Sequence, residues 1–112
     1  MLFGVFGFFW KEKKPGDKRR SPKWRAFRAA RIAEHPYCAA CGGTKKLEAH
    51  HLRVFHKHPE LELDPNNILI LCDSPGRNCH FSVGHLFSWE SWNESAALDA
   101  AKILYKVRTR PQ

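Results

Sequence analysis

Apolar and polar residues follow one another in short blocks, and the first clear block predicts a helix over residues 21–35. Apolar residues recur there at roughly helical spacing. Ser21 suits the N-cap of this helix and Pro22 suits its first helical position, while Pro36 ends it. Arginines at three-residue intervals give the predicted helix a basic ridge.

Two further apolar runs predict the strands of a small sheet. The segment LEAHHLRV at 47–54 can form a strand, and the run ILILC at 68–72 is typical of a short buried strand. The loop between them contains two prolines. After the turn-rich stretch DSPGRN, a helix or helical turn is predicted from Cys79, with Gly84 as a candidate interruption.

The last block predicts a C-terminal helix with Asn93 as its N-cap. Its apolar residues lie on one face, namely Ala97, Leu98, Ala101, Leu104 and Tyr105. Together these blocks predict an α+β fold in which N- and C-terminal helices flank a pair of strands.

Residues 1–20 are interpreted as an apolar arm followed by a basic linker, and residues 21–112 as the functional domain. The run MLFGVFGFFW has ten residues, too few to cross a bilayer, which needs about 20. Positive charge follows this run, whereas a signal peptide carries it in front. We expect the arm to pack on the domain, on a protein partner or in a dimer; a shallow membrane contact is the alternative. With no export signal or transmembrane segment visible, a cytoplasmic location is expected.

The positive charge is concentrated in one segment. The chain has a formal net charge of +8. Residues 11–31 hold ten basic and two acidic residues, and the remainder holds nine of each. Such a concentration indicates a phosphate-bearing partner, above all nucleic acid, or an anionic membrane surface. A solvated basic tail or helix face is the alternative.

The four cysteines predict a structural zinc site. Cys38 and Cys41 form a C-x2-C knuckle, and six residues separate Cys72 from Cys79. Zinc prefers four ligands in a tetrahedron, and a knuckle supplies two thiolates. The second pair is wide, but its insert DSPGRN can bulge outward while its ends converge. An intracellular location favours Zn²⁺ over disulfides or a redox C-x2-C, which are the alternatives.

Most of the seven histidines fall between positions 50 and 85, close to these cysteines. Adjacent residues on a strand point to opposite faces. His50 and His51 can therefore serve different roles, one at a metal and one at a substrate. His80 directly follows Cys79, so a zinc ion on that thiolate would also fix the position of His80.

The stretches CAAC, EAHHL, DPNNILILC and NCHFSVGH occur in order at compatible spacing. Together they resemble the HNH endonuclease family, in its form with a zinc-binding cysteine quartet. The resemblance runs from about Ser21 to Asn93 and includes the lead-in helix of small bacterial and phage members. It implies a ββα-metal (His-Me finger) core with flanking helices and a zinc site made of the four cysteines. It also implies the cytoplasm of a bacterial or phage-infected cell.

The resemblance assigns a role to each residue of the pattern. His50 matches a metal-ligand position, and His51 matches the general base. Asn67 matches a central asparagine that braces the loop or helps at the metal. His80 matches a helix histidine at the catalytic metal, and His85 resembles a further helix histidine.

The spacing of the last two histidines departs from the family pattern. His80 and His85 lie five residues apart, where three intervening residues are commoner. On an ideal α-helix this step separates them by about 140°. Shared ligation therefore requires a bend, expected at Gly84. Otherwise His85 would support another ligand or contact phosphate.

The activity implied is metal-dependent hydrolysis of DNA phosphodiester bonds, leaving a 5′-phosphate and a 3′-hydroxyl. Neutral His51 takes a proton from water. A divalent cation on His50 and His80, with His85 as a further candidate ligand, would act as Lewis acid at the phosphate, and Mg²⁺, Mn²⁺, Ni²⁺ or Zn²⁺ would suit. The DNA is held mostly through its phosphates by Lys23, Arg25, Arg28, Arg31, Arg53 and Lys57.

Two other classes of protein compete with the nuclease. A non-catalytic zinc-ribbon module that binds nucleic acid or protein explains the cysteines and the charge, but leaves the histidine pattern as coincidence. A disulfide-bonded extracellular domain explains neither the histidines nor the basic helix.

Overall fold

The structure, a computed structural model, describes residues 19–110. Its two strands pair in antiparallel fashion, and helices precede and follow them in the chain. In chain order, the elements are helix α1 (Trp24–Glu34), strand β1 (Leu47–His51), strand β2 (Ile68–Cys72), a π-helical turn (His80–Gly84) and helix α2 (Ala96–Thr109). The predicted α+β class is confirmed. The apolar arm and all but the last two residues of the linker lie outside the described residues. No helix within 19–110 is long and apolar enough to cross a bilayer.

The two strands pair from Leu47 opposite Cys72 to His51 opposite Ile68. This register places the start of β1 beside the end of β2, where the cysteine that ends β2 lies. The other end of the pair opens into the long loop, which contains single 3-10 turns at Pro59–Leu61 and Pro65–Asn67.

The strand predicted over residues 47–54 ends early, at His51. Leu52 N–H still donates to Asn67 O at 2.8 Å. The Asn67 side chain then bonds both backbone groups of Arg53, accepting from its N–H at 2.8 Å and donating to its carbonyl at 3.1 Å. The Asn67 side chain therefore occupies the backbone groups of Arg53 that the next residue pair of the sheet would use, and strand pairing ends there.

Helix α1 begins later than predicted. Ser21 Oγ accepts from Lys23 N–H at 3.0 Å, which is the bond expected of an N-cap. However, Trp24 N–H donates to Ser21 O at 3.0 Å in a tighter turn, and the α-helix starts only at Trp24. Phe27 is its buried residue, and the helix packs on both strands before it ends ahead of Pro36.

The apolar face predicted for helix α2 is wrong. The structure buries Ala96 and Ala100, one turn apart, and half-buries Leu104 on the next turn. These alanines let α2 approach the π-helical turn closely, so packing overrides the hydrophobic pattern. The other residues of the predicted face are exposed, namely Ala97, Leu98, Ala101 and Tyr105.

Asn93 lies before α2 but is not its N-cap, because the helix begins at Ala96 after Ser95. Its side chain accepts from Ser95 N–H at 2.9 Å and donates to Asp99 Oδ2 at 2.8 Å and Val83 O at 3.1 Å. Asn93 therefore links the start of α2 to the π-helical turn.

The core is small and is built around the cysteines. It contains few large apolar side chains, so hydrophobic burial alone gives this domain limited stabilisation. Its buried members are Cys38, Ala40, Leu71, Cys72, Cys79, Val83, Ala96 and Ala100.

Candidate metal centres and the cavity beside them

Four cysteine sulfurs meet in one cluster. The Sγ atoms of Cys38, Cys41, Cys72 and Cys79 all lie within 4.8 Å of one another, and none forms a disulfide. Cys41 Sγ and Cys72 Sγ are 3.8 Å apart. With Zn–S bonds of about 2.3 Å, two sulfurs of a tetrahedral site lie about 3.8 Å apart. The four cysteines can therefore hold a zinc ion, as predicted.

Backbone N–H groups of the first turn point at its sulfurs. Cys38 Sγ accepts from Ala40 at 3.4 Å and from Cys41 at 3.5 Å, and Cys41 Sγ accepts from Gly43 at 3.4 Å. Burial raises the pKa of Cys38, and the backbone donors oppose this effect by favouring the thiolate, the form that binds a metal.

The pKa values of the second cysteine pair are shifted in opposite directions. Burial acts to raise the pKa of Cys72, but backbone N–H groups of Cys79 and Ser74 outweigh it and lower that pKa to about 7. Burial, followed by the charge of Cys38, raises the pKa of Cys79. A cation shared by the four sulfurs would favour the thiolate at both positions.

The six-residue insert between Cys72 and Cys79 closes into a compact turn. Arg77 N–H and Asn78 N–H both donate to Ser74 O, at 3.0 and 2.8 Å. The ends of the insert therefore converge, as the sequence predicted, and the wide spacing is compatible with a shared ion.

Three histidines form a second cluster. One nitrogen each of His50, His80 and His85 lies within 4.8 Å of the others, and the ring centroids are 4.9 to 5.1 Å apart. His50 Nε2 is buried and has no hydrogen-bond partner within 19–110. An unpaired buried polar atom costs free energy that a bound ligand would recover. This cluster is compatible with metal binding.

The π-helical turn explains how histidines five residues apart can meet. His85 N–H donates to His80 O, the i to i+5 bond of a π-helix. Residues five apart therefore lie nearly above one another, whereas an α-helix would separate them. The bend expected at Gly84 takes the form of this wider turn.

Polar groups outside the cluster lie against two of its rings. His85 Nδ1 lies 2.7 Å from Ser91 O. Because a carbonyl only accepts, Nδ1 carries the proton and Nε2 keeps a lone pair. His80 Nδ1 lies 3.3 Å from Asp73 Oδ1. Such partners are typical of histidines that bind metals.

The third ring, His50, packs closely against the backbone of Gly84. A Cβ atom at Gly84 would lie 3.0 Å from His50 Cε1 and 3.1 Å from its Nδ1. Burial, followed by the neighbouring His80 and His85, lowers the pKa of His50 to about 3. Its imidazole is therefore neutral at pH 7, as a metal ligand must be.

His51 lies next to this cluster, but its ring contacts α1. It stacks on Trp24 with ring centroids 4.8 Å apart, and its Nε2 lies 3.0 Å from Glu62 O. Nε2 must donate to that carbonyl, which leaves the lone pair on Nδ1. Burial lowers the pKa of His51, and the bond to the Glu62 carbonyl opposes this effect.

Asn67 closes the loop that follows His51. Besides its two bonds to the Arg53 backbone, its Nδ2 lies 3.4 Å from Leu61 O. The side chain is buried and joins both ends of the loop, which keeps the loop in one position relative to β1.

The basic residues predicted to contact phosphates lie on different sides of the structure. Arg28 borders the cavity beside the histidines, with Nη2 2.8 Å from Glu48 Oε1. Arg31 pairs with Glu34 at 2.6 Å and borders a separate cavity. The ridge predicted on α1 is therefore divided. Of the others, Arg25, Arg53 and Lys57 are exposed and Lys23 is half-buried.

Sequence reasoning missed several residues of the site. The guanidinium of Arg20, placed in the predicted linker, lies 4.7 Å from the Trp24 ring and 4.3 Å from the Phe55 ring. It also pairs at 3.4 Å with Glu62, whose side chain is 1% exposed. The aromatic residues of FSWESWN, Trp89 among them, were missed too. Their density in an irregular segment was the available signal.

A cavity of about 320 Å³ joins these groups. It is bordered by the four histidines just described, by Arg20 and Arg28, and by the rings of Trp24, Phe55, Trp89 and Trp92. The arrangement offers nitrogen ligands to a cation and guanidinium groups to an anion within one recess. Comparison of the chain with protein-family models, curated proteins and solved structures found no match.

Proposed function

We propose that this protein is a metal-dependent endonuclease of the HNH type that hydrolyses phosphodiester bonds in DNA. The observation that carries the proposal is the convergence of His50, His80 and His85 beside a separately oriented His51. The chain order of strand, loop, strand and short helix also agrees with a ββα-metal core. The cysteine cluster would be the structural zinc site that holds the second strand and the short helix together.

The divalent cation would be held by the three clustered histidines. The unpaired His50 Nε2 and the lone pair left on His85 Nε2 supply nitrogen ligands of the kind that Mn²⁺, Ni²⁺ and Zn²⁺ accept, while Mg²⁺ prefers oxygen. When bound, this cation would act as a Lewis acid at the scissile phosphate and its leaving oxygen.

His51 is the proposed general base. Its Nδ1 lone pair would accept a proton from the attacking water. The bond from Nε2 to Glu62 O and the stacking on Trp24 hold the ring in one orientation. The same carbonyl would stabilise the positive charge that the ring gains.

Arg20 and Arg28 are proposed to hold the phosphate. Each pairs with a carboxylate, Glu62 or Glu48, which positions its guanidinium at the cavity. Because a guanidinium carries five N–H donors, it can keep this pair and still donate to phosphate oxygens. Asn67 would contribute by holding the loop that follows the base.

The proposal is tested by incubating the zinc-loaded chain with supercoiled plasmid in Mg²⁺, Mn²⁺ or Ni²⁺, and in EDTA. We expect nicked plasmid with at least one cation and none in EDTA. His51→Ala should lower the nicking rate by about 10² to 10⁴, the usual contribution of a general base.

The matched control is His35→Ala, because His35 lies at the end of α1 and borders the other cavity. It should nick at the wild-type rate. Zinc content and circular dichroism establish that both variants fold. Absence of cleavage of both the plasmid and a single-stranded oligonucleotide in all three cations would contradict the nuclease and favour the zinc-ribbon binding module.

A further inference from the structure

We propose that the strand cut at this site is unpaired, and that its bases stack on an aromatic rim formed by Trp89 and Trp92 at the edge of the cavity. The inference rests on the proposed function and extends it to a substrate class, single-stranded DNA. It is argued from the exposure of Trp89, the cations beside the aromatic side chains of the cavity and the depth of His50 and His51.

Trp89 is exposed although it lies against the histidine cluster. Its ring centroid is 4.9 Å from that of His85, 5.3 Å from that of His80 and 4.8 Å from that of Phe81. These contacts fix one side of the indole, yet the residue is 59% exposed. A large ring held in place beside a recess and left open to solvent is suited to contact a ligand.

The segment that carries Trp89 is held in an unusual conformation. Leu86 and Phe87 adopt φ values of +54° and +67°, which residues other than glycine rarely adopt. Phe87 N–H donates to Phe81 O at 3.0 Å, which ties the segment to the π-helical turn. The fold thus maintains a strained backbone that presents Trp89 beside the histidines, a pattern typical of functional sites.

Positively charged side chains lie over several of the aromatic rings that border the cavity. Lys57 Nζ lies 4.7 Å from the Trp92 ring centroid, and the Arg20 guanidinium lies over the rings of Trp24 and Phe55. Grooves that bind single strands combine these two features, because aromatic planes stack on bases while cations contact the backbone. A duplex offers its phosphates but keeps its bases stacked on one another.

Two of the four histidines lie deep in the cavity, and the other two are half-buried. His50 is 2% exposed and His51 is 8% exposed. The backbone of a duplex follows a stiff, convex surface, whereas a single strand is flexible enough to bend a phosphate into a recess. Depth and aromatic lining therefore favour an unpaired strand over a duplex. They also favour it over a protein partner, since a covering protein would leave the cations and histidines below without a ligand.

The test separates affinity from cleavage. Fluorescence anisotropy of a labelled oligonucleotide and of its duplex is measured with the zinc-loaded full chain and no added divalent cation. We expect tighter binding of the single strand. Trp89→Ala and Trp92→Ala should each weaken that binding by about fivefold to 100-fold, the range for losing one stacked base, with little change for the duplex. Trp89→Phe, which keeps an aromatic plane, should restore most of the affinity.

The control is Tyr105→Ala, which removes an aromatic side chain of 69% exposure that does not border the cavity. Its affinities should equal those of the wild type. Equal affinity of the wild type for both DNA forms, or wild-type binding by both tryptophan variants, would overturn the inference. If Trp89→Ala fails to fold, the comparison of Trp92→Ala with the wild type decides the question.

A cleavage assay with added cation distinguishes this inference from the proposed function. Plasmid nicking without the expected tryptophan dependence would keep the nuclease and overturn the aromatic rim. The expected binding pattern without cleavage of any strand would keep the rim as a single-strand site and overturn the nuclease.

Discussion

His50 and Gly84 depend on each other, since the imidazole occupies the space that a side chain at residue 84 would need. His50 has almost no freedom to move away, because its ring is buried and lies between His80 and His85. A change of one methyl group at residue 84 therefore acts directly on the candidate cation site.

Gly84→Ala should weaken binding of the second metal more than it affects folding. Alanine favours a helical backbone by up to about 1 kcal/mol, which offsets part of an overpacking cost of about 1–3 kcal/mol. The displaced His50 ring has no such compensation, so we expect metal affinity to fall by about 10- to 100-fold. Titration calorimetry of Mn²⁺ into zinc-loaded protein measures this change.

Ser82→Ala is the control for that substitution, because Ser82 lies in the same turn and its hydroxyl donates to Asn78 O at the surface. It should leave the Mn²⁺ affinity unchanged. An unchanged affinity in Gly84→Ala would show that His50 can move without losing the metal, or does not bind it.

At the scale of elements, the cysteine cluster is the point at which separate segments of the chain meet in the core. The first cysteine turn, strand β2 and the π-helical turn each contribute sulfur, and α2 packs on the same core. Because His80 directly follows Cys79, any movement of the second cysteine pair would also displace the histidine cluster.

Cys79→Ser should abolish stable zinc binding and loosen the whole domain. Structural zinc supplies about 10 kcal/mol in small zinc domains. Because 1 kcal/mol shifts the melting temperature of a small domain by about 4–8 °C, we expect a fall of about 40 °C or more. Zinc analysis by mass spectrometry and thermal melting by circular dichroism measure both effects.

Ser74→Ala, in the loop between the same cysteines, is the comparison and should keep one equivalent of zinc and nearly the wild-type melting temperature. A Cys79→Ser protein with full zinc content would mean that the cluster does not act as a four-ligand site.

Spacing and turn chemistry were sufficient to predict the cysteine cluster, since the ends of a turn-rich insert converge whatever its detailed shape. They were insufficient for the π-helical turn, because no local propensity distinguishes an i to i+5 bond from a helix interruption near Gly84. The burial of Ala96 and Ala100 depends on how closely α2 approaches its neighbours, which periodicity does not encode. Arg20 reaches the cavity through its pairing with Glu62, a contact 42 residues away in sequence.

At the scale of the whole molecule, charge is arranged unevenly around the fold. The net charge of +8 arises from residues 11–31, yet the arginines of α1 have different surroundings. Arg28 borders the cavity with the histidines, while Arg31 packs over Phe27 and borders a separate cavity. Proximity to the site, more than total charge, should therefore decide which arginines bind phosphate.

Arg28→Gln and Arg31→Gln form a matched pair, since each removes one charge from the same helix and each arginine has one carboxylate partner. For single-stranded DNA, Arg28→Gln should weaken binding and reduce the slope of log affinity against log salt by about 0.7, the value for one lost phosphate contact. Arg31→Gln should leave the slope unchanged, because its side chain lies outside the cavity. Anisotropy titrations over a range of salt concentrations measure both slopes. Equal slopes for the two variants would mean that the DNA responds to the overall positive charge and does not occupy the cavity beside the histidines.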